Sequence, residues 1–366
     1  MSTIPTHLNS DRAIYIDFES LREDPPSPGL LGVLVAGPEG GFEQLILDPV
    51  LARAAKATPH CRAIPLPDAI AEIVKRADDE DRAIVGWSLF ERSVVQKSAI
   101  PQTVKDRFVA RYINGRQLAS RWKSVLHPDV KLPKNDKFDP RNRLDRFAEL
   151  TRYPHVAKLQ GKPAAWLRRV LKAMKRSEGR YERLKDGQKA VWRELLRYNE
   201  HDCRALAHVV RKAAFELEKW REYEQTRFCV SDEPRPQFCF TVGSKSPRLE
   251  RLLERHAVDR WAFITAWNPG SVALARDENE RRQTELRSRL SEYIVIAGEG
   301  VGRDSAWPPE PSVMILGIPR KEAVRIGRKF GQLAIVAGHK GFPASLLPCS
   351  PLPNLSWTRN TRVIEG

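Results

Sequence analysis

The chain has 366 residues, 41% hydrophobic and 30% charged, which suits packed cores in a soluble protein and allows two domains of ordinary size. Its longest nearly unbroken apolar stretch, GLLGVLVAG at 29–37, is far below the ~20 residues that span a bilayer, so no membrane span is expected. The net charge is +16, and such an excess of cations points to a polyanionic partner, most often nucleic acid. RAIYIDFES, GLLGVLVAG and FEQLILD read as three strands separated by Pro/Gly-rich turns at 24–29 and 37–41, a pattern that predicts an antiparallel meander. PDAIAEIVKRA (67–77) has helical periodicity and leads through DDED into a strand, RAIVGWS (82–88), and a helix from near Leu89. A strand that returns after a helix implies a crossover adding to the sheet.

From 102 to 225 the pattern is almost wholly helical, broken by a polar loop at 127–142, and it ends in a long charged helix over roughly 200–225. Residues 166–197 concentrate cations with Trp and Tyr between them, a composition suited to phosphate contact and base stacking. The apolar residues of this stretch recur at helical spacing, which places its Trp residues in the core. Arg168, Arg169, Lys172 and Lys175 then form the expected nucleic-acid face. SDEPRPQF (231–238) reads as a linker, so the expected boundaries are a first domain over 1–226 and a linker over 227–240. A small α+β domain over 241–340 and an irregular tail over 341–366 complete the expected organisation. Five scattered cysteines form no CxxC pair, which argues against a disulfide framework or a zinc site. The first residues carry neither a basic nor an apolar signal region, so a reducing cytoplasm is the expected compartment.

The first strand ends in Asp17 and Glu19, two apart and therefore on one face. Glu91 stands in the first turn of a later helix, and Tyr198 and Asp202 are four apart on another, hence on one helical face. Brought together, four carboxylates repel by several kcal/mol unless cations separate them. Hard ions such as Mg²⁺ or Mn²⁺ take oxygen ligands, and two of them form the clamp used for phosphodiester hydrolysis. Glu91 has a second reading, because the first turn of a helix favours Glu on dipole grounds alone. Tyr198 has one too, as a core aromatic.

A strand ending in DxE, a later acid at a strand–helix junction and a helical YxxxD together resemble the DEDD group of 3′–5′ exonucleases with an RNase H-like fold. The Tyr form of that group, and a branch of predicted bacterial RNase H-like nucleases that closes on YN..D..AL, is the nearer resemblance over about 13–215. It implies an α/β fold with a mixed sheet flanked by helices. It also implies metal ligation by Asp17, Glu19, Glu91 and Asp202, and a catalytic Tyr198 that orients or activates water. Glu91 stands where the group commonly has Asp, and Ser88 where it has Asn; position 197, which is His in the other form, is Arg here. In the second half, FITAWNPGS (263–271), DENERR (277–282) and RKFGQLAIV (328–336) resemble a bacterial domain family of unknown function over about 247–338. Thr265, Trp267, Asn268, Asn279 and Gln332 are candidates to converge on a small ligand, a nucleotide or a protein partner. The alternative is a folding motif built on an Asn-capped turn.

Overall fold

The computed structural model describes residues 8–349 apart from 22–25, 57, 59, 133–142, 160 and 304–307. The turn at 24–29, the loop at 127–142 and the tail at 341–366 thus lie partly outside the described residues. The described chain is a mixed α/β protein of two compact units, and among these residues no helix is long and apolar enough to cross a membrane. Of the described residues, one unit holds those up to Arg121 with Lys131–Ala214, and the other holds Trp122–Val130 with those from Phe215 on.

In chain order the first unit contains β1 (Ile14–Leu21), β2 (Ser27–Val35), β3 (Gly41–Ile46), α1 (Ala52–Lys56), β4 (Cys61–Ala63), α2 (Leu66–Asp79) and β5 (Ile84–Gly86). There follow α3 (Leu89–Lys97), α4 (Gln102–Arg111), β6 (Tyr112–Asn114), α5 (Gly115–Leu126), α6 (Leu144–Leu150), α7 (Pro163–Arg176) and α8 (Asp186–Gln225). The ends of α5 and α8 belong to the second unit. The sheet order is β4-β3-β2-β1-β5-β6. β1, β2 and β3 form the antiparallel meander, whereas β5 runs parallel to β1 and β6 parallel to β5. Alternation along β1 sets what each face buries. Ile14, Ile16 and Phe18 pack with Ile70, Ile73, Val74, Val94, Val95 and Phe108 of α2, α3 and α4. The opposite face, with Leu30 and Ile46, packs on Leu167, Leu171, Trp192 and Leu195 of α7 and α8. Trp192 and Leu195 are fully buried, and burial of such side chains stabilises the fold by about 2 kcal/mol each. Tyr15, Asp17 and Glu19 therefore lie on the α7–α8 side.

The second unit contains β7 (Arg227–Val230), β8 (Phe238–Phe240), α9 (Pro247–Arg255), β9 (Arg260–Ile264), α10 (Arg276–Ser288), β10 (Ile294–Val301), β11 (Glu310–Leu316), α11 (Arg320–Lys329), β12 (Ala334–His339) and β13 (Ser345–Pro348). Its strands form an antiparallel sheet in the order β13-β12-β9-β11-β10-β7-β8. One face carries Phe228, Phe240, Trp261, Phe263 and Met314 against α9. The other carries Ala262, Ile264, Val313 and Ile335 against α10 and α11.

Four expectations change here. The stretch 227–240, read as a linker, supplies β7 and β8, because Phe228, Val230, Phe238 and Phe240 alternate into the second core. Ser345–Pro348, read as tail, pairs with β12 through Leu346 and Leu347. The cysteines are not all free: Cys229 and Cys239 face each other across β7 and β8, with Cα atoms 4.0 Å apart, and form a disulfide. They are ten positions apart in sequence, and only the hairpin register brings them opposite. The boundary also falls earlier than 226. The end of α8 is tied into the second unit by Trp122 Nε1 donating to Glu216 Oε2 at 2.6 Å and by the 2.6 Å contact of Tyr223 with Ser271 Oγ.

Candidate metal centre

Asp17 and Glu19 project from the last half of β1 toward the face of α8 that carries Asp202. Carboxylate oxygens of these three residues lie within 4.8 Å of one another. The approach of α8 is made possible at β2, where Gly32 pairs with Asp17. A Cβ on Gly32 would sit 2.4 Å from Asn199 Oδ1 and 2.8 Å from Cys203 Sγ, so any side chain there would push the helix off the strand. Glu19 is buried, at 5% exposure, and its Oε1 has no hydrogen-bond partner. A carboxylate oxygen in that position costs on the order of 1–3 kcal/mol or more unless something neutralises it.

The electrostatics follow from this crowding. Burial pushes the Asp17 carboxyl up to about 7, with the Glu91 charge adding to the rise and the Asn199 hydrogen bond opposing it. Burial, then the Asp17 and Asp202 charges, hold Glu19 well above the usual carboxylate range. Burial and the Asp17 charge raise Asp202 likewise, opposed by a hydrogen bond from Tyr198. Such mutual elevation is what a cluster of acids does without a cation among them.

A layer of polar contacts holds the cluster in place. Asn199, fully buried, donates through Nδ2 to Asp17 Oδ2 at 2.9 Å and to the Asp17 carbonyl at 3.1 Å. Its Oδ1 accepts from Gln44 Nε2 at 3.0 Å, which also donates to the Leu196 carbonyl. Asp145, in the first turn of α6, is buried, paired with Arg143 at 3.0 Å, and close enough for its charge to raise Asp202. These three residues were missed in the sequence reading. Asn199 had a visible signal, since it stands inside YN..D; Gln44 and Asp145 are single polar residues in apolar surroundings and had none.

Glu91 is buried near the cluster but is not one of the three. It closes a capping box with Ser88 at the start of α3, its Oε2 accepting from Ser88 N at 3.1 Å and from Tyr112 Oη at 3.1 Å. Gly86 leaves the room for this, because a Cβ there would meet Tyr112 Oη at 2.4 Å and Glu91 Cγ at 2.9 Å. The dipole-related reading of Glu91 therefore describes its contacts, while its charge still acts on Asp17. Tyr198 packs edge-on against Trp166, with ring centroids 5.8 Å apart, and its hydroxyl donates to Asp202. His201 points away to Tyr153 Oη at 3.3 Å, and Arg197 is on the surface near Glu194.

On α7, Arg168, Arg169, Lys172 and Lys175 are exposed, and Leu167, Val170, Leu171 and Met174 are buried on the opposite side. Trp192 is core, its Nε1 donating to Thr58 Oγ1 at 3.2 Å.

In the second unit, the five candidate residues do converge, but mainly on one another. Asn268, in the left-handed region at φ 45°, receives Asn279 Nδ2 and Leu274 N on its Oδ1, at 2.9 and 3.0 Å. Its backbone N–H donates to Asn279 Oδ1 at 2.9 Å and its Nδ2 to Glu310 Oε1 at 2.6 Å. Thr265 Oγ1 accepts from Trp267 N, and Gln332 Nε2 donates to the Trp267 carbonyl at 2.9 Å. These bonds tie the TAWNP turn to Asn279 and Gln332, and Thr265, Asn268 and Gln332 also line a cavity. Gln283, unmarked in the sequence reading, joins it by accepting from Ala266 N at 2.9 Å.

Residues 264–335 match the model of a family described as a protein of unknown function, DUF3293. The match lies inside the 247–338 interval that TAWNP and FGQ mark out, and brings no activity with it. No curated protein and no solved structure matches the chain.

Proposed function

We propose that the first unit is a metal-dependent nuclease that hydrolyses phosphodiester bonds of DNA or RNA, as a 3′–5′ exonuclease of RNase H-like type. One observation carries the reading: a buried, unpartnered Glu19 oxygen stands within 4.8 Å of the Asp17 and Asp202 carboxylates. The donor set is all oxygen and anionic, which fits Mg²⁺ or Mn²⁺ rather than a softer metal. Asp17, Glu19 and Asp202 would hold the ion. When bound, it supplies Lewis-acid stabilisation of phosphoryl oxygens and a more acidic water. Asn199 fixes the orientation of Asp17, and Gln44 fixes Asn199. Tyr198, hydrogen-bonded to Asp202, presents its hydroxyl at the edge of the cluster, where it can orient a nucleophile. The cationic face of α7 binds backbone phosphates without regard to sequence. A two-ion arrangement would need Glu91 to leave its capping box.

That same capping box supports a second reading, a nucleic-acid-binding module without catalysis or an adaptor whose second unit holds a protein partner. Nucleic acid as substrate makes the cytoplasm the compartment of this proposal; the Cys229–Cys239 bond is unusual there and speaks against it. The deciding experiment uses purified protein, end-labelled single- and double-stranded DNA and RNA, and Mn²⁺, Mg²⁺ or EDTA. Cleavage with metal that vanishes in Asp202→Asn supports the nuclease. Salt-sensitive binding without cleavage selects the binding module.

A further inference from the structure

The second unit carries a half-open cavity of about 420 Å³, a volume within the range of small-molecule sites. Its origin can be read from the strands. On the face that carries Val336, Phe263, Met314 and Ile296 side by side, the next row of positions is Ala334, Thr265, Ser312 and Gly298, and Gly300 lies beyond. Large side chains thus give way to small ones across four neighbouring strands. Small side chains at Ala334, Thr265 and Ser312 form a floor there, while the Phe263 ring covers Gly298. A Cβ on Gly300 would meet nothing nearer than Thr226 Cγ2 at 3.9 Å, so this position opens on the cavity. Phe263 and Phe228 form a wall, their ring centroids 5.4 Å apart and inclined at 68°, with Val336 and Leu346 beside them. Tyr223 of α8 also lines it.

Polar groups punctuate this lining. The Tyr223 and Ser271 hydroxyls lie 2.6 Å apart. Ser312 Oγ is committed as donor to the Glu310 carbonyl, which leaves its lone pairs to accept. Gln332 donates through Nε2 to Trp267, which leaves its Oε1 as an acceptor. Lys219 and Arg303 contribute to the lining. A floor of small residues, aromatic walls and hydrogen-bonding groups among them match a planar ring whose rim alternates donors and acceptors. They do not match an aliphatic chain, which would leave those polar groups unpaired on desolvation.

We propose that this cavity binds a single nucleobase, carried by a nucleoside, a mononucleotide or an unstacked end of a strand. The experiment titrates the full chain, in EDTA so that the carboxylate cluster holds no ion, with the four ribonucleosides, their 5′-monophosphates and a single-stranded tetranucleotide. Calorimetry reads the affinity, with decanoate as an aliphatic control. At least one base is expected to bind, and Gly300→Leu and Ala334→Leu, which fill the floor, are expected to weaken it about ten-fold or more while melting no lower than wild type. Preference among the three carriers identifies the source of the base. If a variant does not fold, slowed hydrogen exchange of β10 and β11 in the wild-type chain on binding locates the site instead. The proposal is overturned if no base binds, if decanoate binds more tightly than every base, or if folded Gly300→Leu binds as wild type. It is also overturned if ligand protects only the first unit from exchange. None of these outcomes depends on whether the first unit cleaves nucleic acid.

Discussion

Replacing Asp17 by Asn should make the metal-free protein more stable, and the pH dependence of that gain tests the carboxylate cluster directly. Asn keeps the shape of Asp17 and can still accept from Asn199 Nδ2, so the substitution removes charge with little else. The Asp17 carboxyl is raised from 3.8 to about 7, a shift of about three units, and each unit corresponds to about 1.4 kcal/mol. A raised carboxyl binds its proton more tightly in the folded state than in the unfolded chain. Its stabilising contribution is therefore fully present below pH 4 and is lost as pH rises through about 7. At pH 8 the cost of keeping Asp17 ionised has an upper limit of about 4 kcal/mol. Glu19 and Asp202 share the strain, so about half of that, roughly 2 kcal/mol, is the expected gain. In a unit of this size it raises Tm by roughly 4–8 °C. Melting curves in EDTA between pH 4 and 8 measure it: the excess stability of Asp17→Asn should be largest at pH 8 and close toward pH 4. Adding Mn²⁺ should stabilise wild type, by about 2.7 kcal/mol at a hundred times the dissociation constant, and should help the variant much less. An excess that is absent at pH 8, or constant across the range, would refute the argument.

Tyr198→Phe removes the hydrogen bond that lowers the Asp202 carboxyl, so metal binding should begin at higher pH and cleavage should slow by about ten-fold or more. A titration and a rate both indistinguishable from wild type would leave Tyr198 a core aromatic. Asn199→Leu takes the donor from Asp17 and removes one of the two acceptors of Gln44 Nε2. It should cost about 1–3 kcal/mol in stability and about 10–100-fold in metal affinity, read by a denaturant melt and by Mn²⁺ titration. Arg169→Glu or Lys172→Glu on exposed α7 should change stability by no more than about 0.5 kcal/mol. Each should nevertheless weaken binding to all sequences alike and reduce the slope of affinity against salt by about one; an unchanged slope moves the nucleic-acid face elsewhere.

Local pattern carried much of the architecture. The meander was legible because RAIYIDFES and GLLGVLVAG are apolar runs closed by turn residues, and β-strand geometry fixes Asp17 and Glu19 to one face whatever they pair with. Tyr198 and Asp202 share a helical flank for the same kind of reason, as do the cations of α7 opposite Leu167 and Val170. Short strands such as Tyr112–Asn114 and Phe238–Phe240 were not legible, because three residues carry no period and are strands only by virtue of their neighbours. Glu91 shows the limit within the site itself: its sequence position allows a cap or a ligand, and the nearness of Ser88 N and Tyr112 Oη in space gives it the cap. TAWNP, Asn279 and Gln332 likewise announce a convergence; hydrogen bonds between segments up to 65 residues apart tie it into a turn, and Thr265, Asn268 and Gln332 also line the cavity of the second unit. Sequence by itself determined which residues share a face, since helix and strand periods are local. Tertiary structure alone decided which faces meet: that Gly32 lets Asn199 and Cys203 close on Asp17, that Cys229 finds Cys239, and that Gly300, Ser312 and Ala334 align to leave a cavity. These depend on register between distant strands and on the space one side chain leaves for another, and neither is written in the spacing of residues along the chain.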